Sequence, residues 1–180
     1  MTKTKTITLY SFQELPESAK QKAIENLWDI NVDYSEWDNS IEDANEIGLK
    51  IISLDDHRSN KGEFITTGED CANLILENHG KDCETYKTAK SFLDQYLPLK
   101  KEWDEKPDPN GIGGYENAGF PFEYENQATE LSEDFLHSIL EDYRVMRNQN
   151  YEYLTSSEAI IESIQANEYL FNENGEIETL

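Results

Sequence analysis

An α+β fold, with about five or six helices packed against one face of a small, mainly antiparallel sheet, is what this sequence predicts. Three observations carry the prediction. Between Asn126 and Leu154, apolar residues recur every fourth position at Leu131, Phe135, Ile139 and Tyr143, with Leu136, Leu140 and Met146 beside them. That is the wide stripe of a core-facing helix. Short runs of strand-forming residues stand at Ile7–Phe12, Lys50–Leu54, Glu63–Thr66 and Tyr169–Phe171. Helix-capping and helix-stopping residues fill the intervals between them. At 180 residues the chain has the size of one ordinary domain, so residues 1–180 are expected to share one core.

In chain order, the first strand leads to Pro16, a good first-turn residue, and then to Ala19, Ala23, Ile24, Leu27 and Trp28 at helical spacing. Ser35 opens a second helix, with Asp38 as a variant capping box, Trp37, Ile41 and Ala44 inside and Gly48 as its stop. The runs Lys50–Leu54 and Glu63–Thr66 are placed to pair across the turn from Asp55 to Gly62. Thr67 and Asp70 cap a third helix over Ala72, Ile75 and Leu76, which Gly80 stops. A fourth runs from Asp82 through Tyr86, Ala89, Leu93 and Tyr96, with Pro98 as its expected end, and makes a hairpin with the third. After the long helix, in which Arg144 and Arg147 fall in the last turns, Thr155 and Glu158 cap a short one bearing Ile160, Ile161 and Ile164. Tyr169–Phe171 and Ile177 form a terminal hairpin turning at Asn174-Gly175.

One stretch breaks this rhythm. From about 99 to 124, Pro107, Pro109, Gly111, Gly113, Gly114, Gly119 and Pro121 exclude regular structure, yet Trp103, Tyr115, Phe120, Phe122 and Tyr124 are embedded in the stretch. Loops of that length in a compact domain are usually functional or disordered, and the aromatics argue for ordered contact. Aromatics in a Gly/Pro frame suit protein contact, or a cover over the core.

Charge narrows the function. The formal net charge is −23, and ten Tyr, seven Phe and three Trp distinguish the chain from a disordered acidic tail. No basic footprint is present, which argues against direct binding to nucleic acid or an anionic membrane and favours a basic protein partner. No apolar run has the length of a membrane span or signal-peptide core, and Cys71 and Cys83 are the only cysteines, so a cytoplasmic setting with reduced thiols is expected. The excess is uneven. Residues 35–48 hold five acids and no base, residues 125–155 seven acids and two bases, and residues 156–180 six acids and no base, whereas residues 81–106 balance at six and six. Acids about one helical turn apart can imitate a phosphate backbone, although plain solvated faces would show the same pattern. Glu36, Asp38, Glu42, Asp43, Glu46, Glu130, Glu133, Asp134, Glu141 and Asp142 are the candidate partner-binding acids, and Trp103, Tyr115, Phe120 and Phe122 the candidate aromatic contacts.

Catalytic chemistry finds little support. Asp55-Asp56-His57 lacks the helical companion histidine of a metal site and fits a turn better. Cys71 fits a small buried residue better than a nucleophile, and His137 borders the apolar stripe. Gly111-Ile112-Gly113-Gly114 lacks the Lys-Ser/Thr of a phosphate loop. No catalytic residue, metal or cofactor is expected.

The run Ile7-Thr8-Leu9-Tyr10-Ser11-Phe12-Gln13-Glu14-Leu15, followed by Ala19-Lys20-Gln21-Lys22-Ala23-Ile24, Trp37, Ile41-Glu42-Asp43-Ala44 and Ile47-Gly48-Leu49-Lys50-Ile51, resembles the opening of a family of small acidic proteins encoded by bacteriophages and prophages. Some members are labelled antitoxin-like. The resemblance is most specific over about residues 7–52 and continues more weakly through Gly62-Glu63-Phe64 to Phe171. Ser53-Leu54-Asp55-Asp56-His57-Arg58 departs from the Gly/Ser/Trp-rich second strand of many members. The resemblance implies a bacterial-cytoplasmic, phage-type setting and transfers no catalytic residue. Joined to the charge, it leads to the expectation of a non-enzymatic inhibitor of a basic, nucleic-acid-handling defence protein such as a CRISPR effector or restriction nuclease. An antitoxin-like protein neutralising a cognate toxin is the alternative.

Overall fold

The computed structural model describes residues 8–33, 36–54, 60–105 and 122–178, with Glu36, Phe122 and Glu123 as helical backbone only. Among the described residues, six α-helices and two separate two-stranded antiparallel sheets bear out the α+β prediction. The chain divides into two compact units, one made of residues 1–34 and 148–180 and the other of residues 35–147.

In the first unit, strand β1 (Tyr10–Ser11) pairs antiparallel with β4 (Leu170–Phe171), Tyr10 opposite Phe171 and Ser11 opposite Leu170. A 3₁₀ turn over Phe12–Glu14 follows β1, and both the backbone N–H and the hydroxyl of Ser11 donate to the Glu14 carboxylate at 2.8 Å. Those bonds, the backbone one foremost, hold the Glu14 carboxyl below its usual value. Helix α1 (Glu17–Asn26) starts after Pro16 as expected and buries Ala19 and Ala23. These meet Phe12, Leu15, Phe171 and, from α6 (Ser157–Ala166), Ile160 and Ile164. The α6 cap lies one residue beyond the expected Thr155. Ser156 accepts from the Ala159 N–H at 3.3 Å, while the Thr155 hydroxyl donates back to Tyr151 O at 2.8 Å and so belongs to the preceding helix. The terminal hairpin turns at Asn174-Gly175 as predicted, closed by Gly175 N–H to Asn172 O and by the Phe171–Ile177 bridge. Gly175 sits at φ 81°, and a Cβ there would lie 2.1 Å from the Ala19 carbonyl oxygen, so the position excludes any side chain.

The second unit opens with α2 (Glu36–Glu46), which is followed by the hairpin of β2 (Leu49–Ser53) and β3 (Lys61–Phe64). Leu49 faces Phe64, and a register shift between Ile51 and Ser53 turns Ile52 out to 57% exposure. The Thr67–Asp70 cap of α3 (Gly68–Asn78) is present, the Asp70 N–H donating to Thr67 Oγ1 at 3.1 Å. Helix α3 forms the expected hairpin with α4, but α4 runs from Glu84 to Asp104, straight through Pro98. The reason is periodicity. Ala89, Phe92, Leu93 and Tyr96 continue on the same face to Leu99, Lys100 and Trp103, so Pro98 and the carbonyl it leaves unbonded lie on the exposed side. Beyond the proline, Lys100 Nζ pairs with Glu69 at 2.6 Å and holds the extension to α3.

Helix α5 (Phe122–Leu154) carries the predicted stripe: Phe135, Ile139, Leu140 and Tyr143 are buried, whereas Met146 is 40% exposed. The Phe135 ring stacks on Phe92 at 4.5 Å and on Phe64 at 5.5 Å, which makes it the centre of this core. Each such side chain contributes about 1.5–3 kcal/mol by leaving water. Gly62 lets the hairpin approach α5, since a Cβ there would meet Leu140 and the Lys50 carbonyl at 2.8 Å. The basic residues do not serve the helix end, because α5 continues to Leu154 and its last turn has none. Arg147 instead donates to Leu54 O at 3.0 Å and lies 5.5 Å over the Trp37 ring, and Arg144 pairs with Glu141.

Candidate functional site

The structure sorts the candidate acids. On α2, Trp37, Ile41, Ala44 and Ile47 face inward, leaving Asp38, Glu42 and Glu46, four residues apart, as one exposed stripe. On α5, Glu130, Glu133 and Asp134 are exposed, Glu133 on the rim of a groove lined by Phe64 and Leu136 and Asp134 beside Phe135. Among the described residues no hydrogen bond or ion pair engages these six carboxylates. Glu36 stands at the start of α2.

The other candidates have internal partners. Glu141 is held by Arg144 and by Asn60 Nδ2 at 3.0 Å. Asp142 is half-buried and accepts from the Thr88 hydroxyl at 2.7 Å, and burial pushes its carboxyl above the usual range. Asp43 accepts the buried Tyr143 phenol at 2.5 Å. The Tyr143 hydroxyl is pushed well above its ordinary value, first by burial and then by that carboxylate. On its other oxygen Asp43 faces His79 Nε2 at 3.5 Å, and His79 Nδ1 meets the Thr85 hydroxyl at 2.8 Å.

Tyr143, Asp43, His79 and Thr85 thus line up across α5, α2, the end of α3 and α4, but His79 Nε2 makes no hydrogen bond to Asp43 among the described residues. Acid, imidazole and hydroxyl in sequence suggest a hydrolytic relay, but Thr85 is 2% exposed, so no substrate reaches its oxygen. Cys71 is fully buried, and burial pushes its thiol up to about 12, which keeps it protonated and inert at neutral pH. Cys71 and Cys83 are both free. Among the described residues no three His, Cys, Asp or Glu side chains converge as a metal site requires, and Asp55, Asp56 and His57 lie outside those residues. No helix among them is long and apolar enough to cross a membrane.

Of the aromatic candidates, Tyr115 and Phe120 lie outside the described residues, and Phe122 begins α5. Trp103 stands on the last turn of α4, its ring 5.1 Å from that of buried Tyr124. Burial raises the Tyr124 phenol above its ordinary value. Beside this pair the surface dips into an open groove between α5, Tyr96 and Phe64, which spacing along the sequence did not reveal because its walls come from three elements.

Helical position separates the two kinds of acid. Asp142 comes seven residues after Phe135 and therefore falls on the apolar stripe, and Asp43 flanks the inner face of α2, whereas Asp38, Glu42 and Glu46 oppose it. Compared with protein-family models, curated protein sequences and solved structures, the chain matches none.

Proposed function

We propose that the protein is a non-enzymatic, phage-type inhibitor that acts in the bacterial cytoplasm on a basic, nucleic-acid-handling defence protein such as a CRISPR effector or a restriction nuclease. The observation that carries this is the exposed stripe of Asp38, Glu42 and Glu46 on α2, with Glu130, Glu133 and Asp134 on α5, in a chain of net charge −23. Carboxylates one turn apart are separated by about 6 Å along a helix, inside the Debye length of about 8 Å at physiological salt, so they act together on an approaching cation. Such a face steers association and occupies a groove built for phosphates.

The test is affinity capture of the partner from a bacterial lysate followed by competition with guide RNA or duplex DNA. Displacement of the nucleic acid is expected, with an association rate that falls steeply as salt rises. A complex that holds the nucleic acid and this protein together refutes mimicry. Lys at positions 38, 42 and 46 should abolish capture, and capture left intact shows that this face is only solvated surface.

A second, antitoxin-like function is favoured by the apolar floor of the groove beside Tyr96 and Tyr124, which would bind a cognate toxin.

A further inference from the structure

The groove beside the first turns of α5 has a volume of about 400 Å³. Phe64 and Tyr96 form one side, and Tyr124, Ala128 and Leu136 the other. Ala128 and Ser132, one turn apart, lower the helix wall, and Ser132 donates its hydroxyl proton back to the Ala128 carbonyl at 2.8 Å. The Ser132 hydroxyl is thus used within the wall. The charges that remain for a visitor are two carboxylates, Glu125 and Glu133, exposed on the rim and engaged by no described side chain.

We infer that this groove docks an extended basic segment of the partner protein, with Lys or Arg at positions i and i+4 and an aromatic or branched apolar residue at i+2. Glu125 and Glu133 are eight residues apart, about 12 Å along the helix axis. In an extended chain, residues i and i+4 point to the same side about 13 Å apart, with i+2 between them. One cation then meets each carboxylate while the central side chain enters the apolar floor. The aromatic walls favour the same cations over anions or neutral polar groups. This inference deepens the proposed function, which supplies the basic partner, and it concerns residues that the α2 stripe does not include.

The test uses the full chain and synthetic peptides with the cores Lys-Ser-Phe-Ser-Lys, Glu-Ser-Phe-Ser-Glu and Lys-Ser-Ser-Ser-Lys, measured by calorimetry and by NMR shifts of the Ala128 and Leu136 amides. The first peptide is expected to bind and to move those amides, and the other two to bind at least about tenfold more weakly. Glu125→Gln with Glu133→Gln should weaken the first peptide roughly tenfold, two exposed ion pairs being lost. Thr129→Trp, at an exposed lining position, should block it by filling the groove.

Binding unchanged by both variants overturns the inference, as does absence of binding by the first peptide at millimolar concentration. Both variants replace exposed residues, so circular dichroism should show unaltered folding. The α2 variant carrying Lys at 38, 42 and 46 leaves the groove intact. If that variant loses capture while the first peptide fails to bind the native chain, the groove inference alone fails. If it retains capture, the acidic-face proposal fails whatever the peptides do.

Discussion

Asp43 lies between the acidic surface and the core, and a double-mutant cycle with Tyr143 shows which claims it. Tyr143 is 1% exposed and donates to Asp43 at 2.5 Å, while the Asp43 side chain retains 48% of its surface. A hydrogen bond to a charged group contributes about 1.5–3 kcal/mol, and the water available to a half-exposed carboxylate lowers the expected coupling to about 1–2 kcal/mol. Tyr143→Phe alone leaves a carboxylate that water can serve and should cost about 1 kcal/mol. Asp43→Ala alone strands the phenol in the core and removes the acid facing His79, for about 2–3 kcal/mol. The double variant should therefore cost less than the sum by the coupling energy. Urea titration in a Trp28→Phe background measures it, because the remaining fluorescence comes from Trp37 and Trp103, both within residues 35–147. Additivity within about 0.3 kcal/mol would refute the bond and return Asp43 to the surface acids.

Two further outcomes follow from burial. Because burial raises the folded pKa of Asp142, its favourable contribution is present at low pH and is lost as pH rises through the folded value. Asp142→Asn, which can still accept from Thr88, should raise the melting temperature at pH 7, with the gain vanishing as pH falls toward the ordinary value of 3.8; Glu130→Gln removes the same charge from an exposed site and should give a smaller gain. Thermal scans across pH check this, and equal gains for the two variants count against the burial effect. Gly175→Ala places a methyl against the Ala19 carbonyl at positive φ and should destabilise residues 1–34 and 148–180 by at least about 2 kcal/mol, followed through Trp28 fluorescence. An unchanged urea midpoint would contradict it.

Local signals carried much of the fold. The four-residue recurrence at Phe135, Ile139 and Tyr143 marks the buried face of α5, Thr67 caps α3, and Asn174-Gly175 makes its turn. What remained hidden depends on distance along the chain. No local pattern announces that Tyr10 pairs with Phe171, that Arg147 reaches Leu54 or that the Tyr143 phenol seeks Asp43. Pro98 misleads for a different reason. A proline ends a helix only where its neighbours need the missing bond, and here the inner face runs on from Tyr96 to Trp103. The acidic stripes were legible as charge, but composition could not separate Asp142, which lies on the apolar stripe, from Glu130 and Glu133, which lie outside it.

The β1–β4 pairing sets an order of events during synthesis. Residues 35–147 are contiguous and can assemble as they leave the ribosome, whereas Tyr10 and Ser11 find their partners only after Leu170 and Phe171 have been made. Through most of translation the first strand, together with Phe12 and Leu15, has no core to enter. A chain cut short before Leu170 therefore loses its first strand as well as its last, and damage at one end is felt at the other.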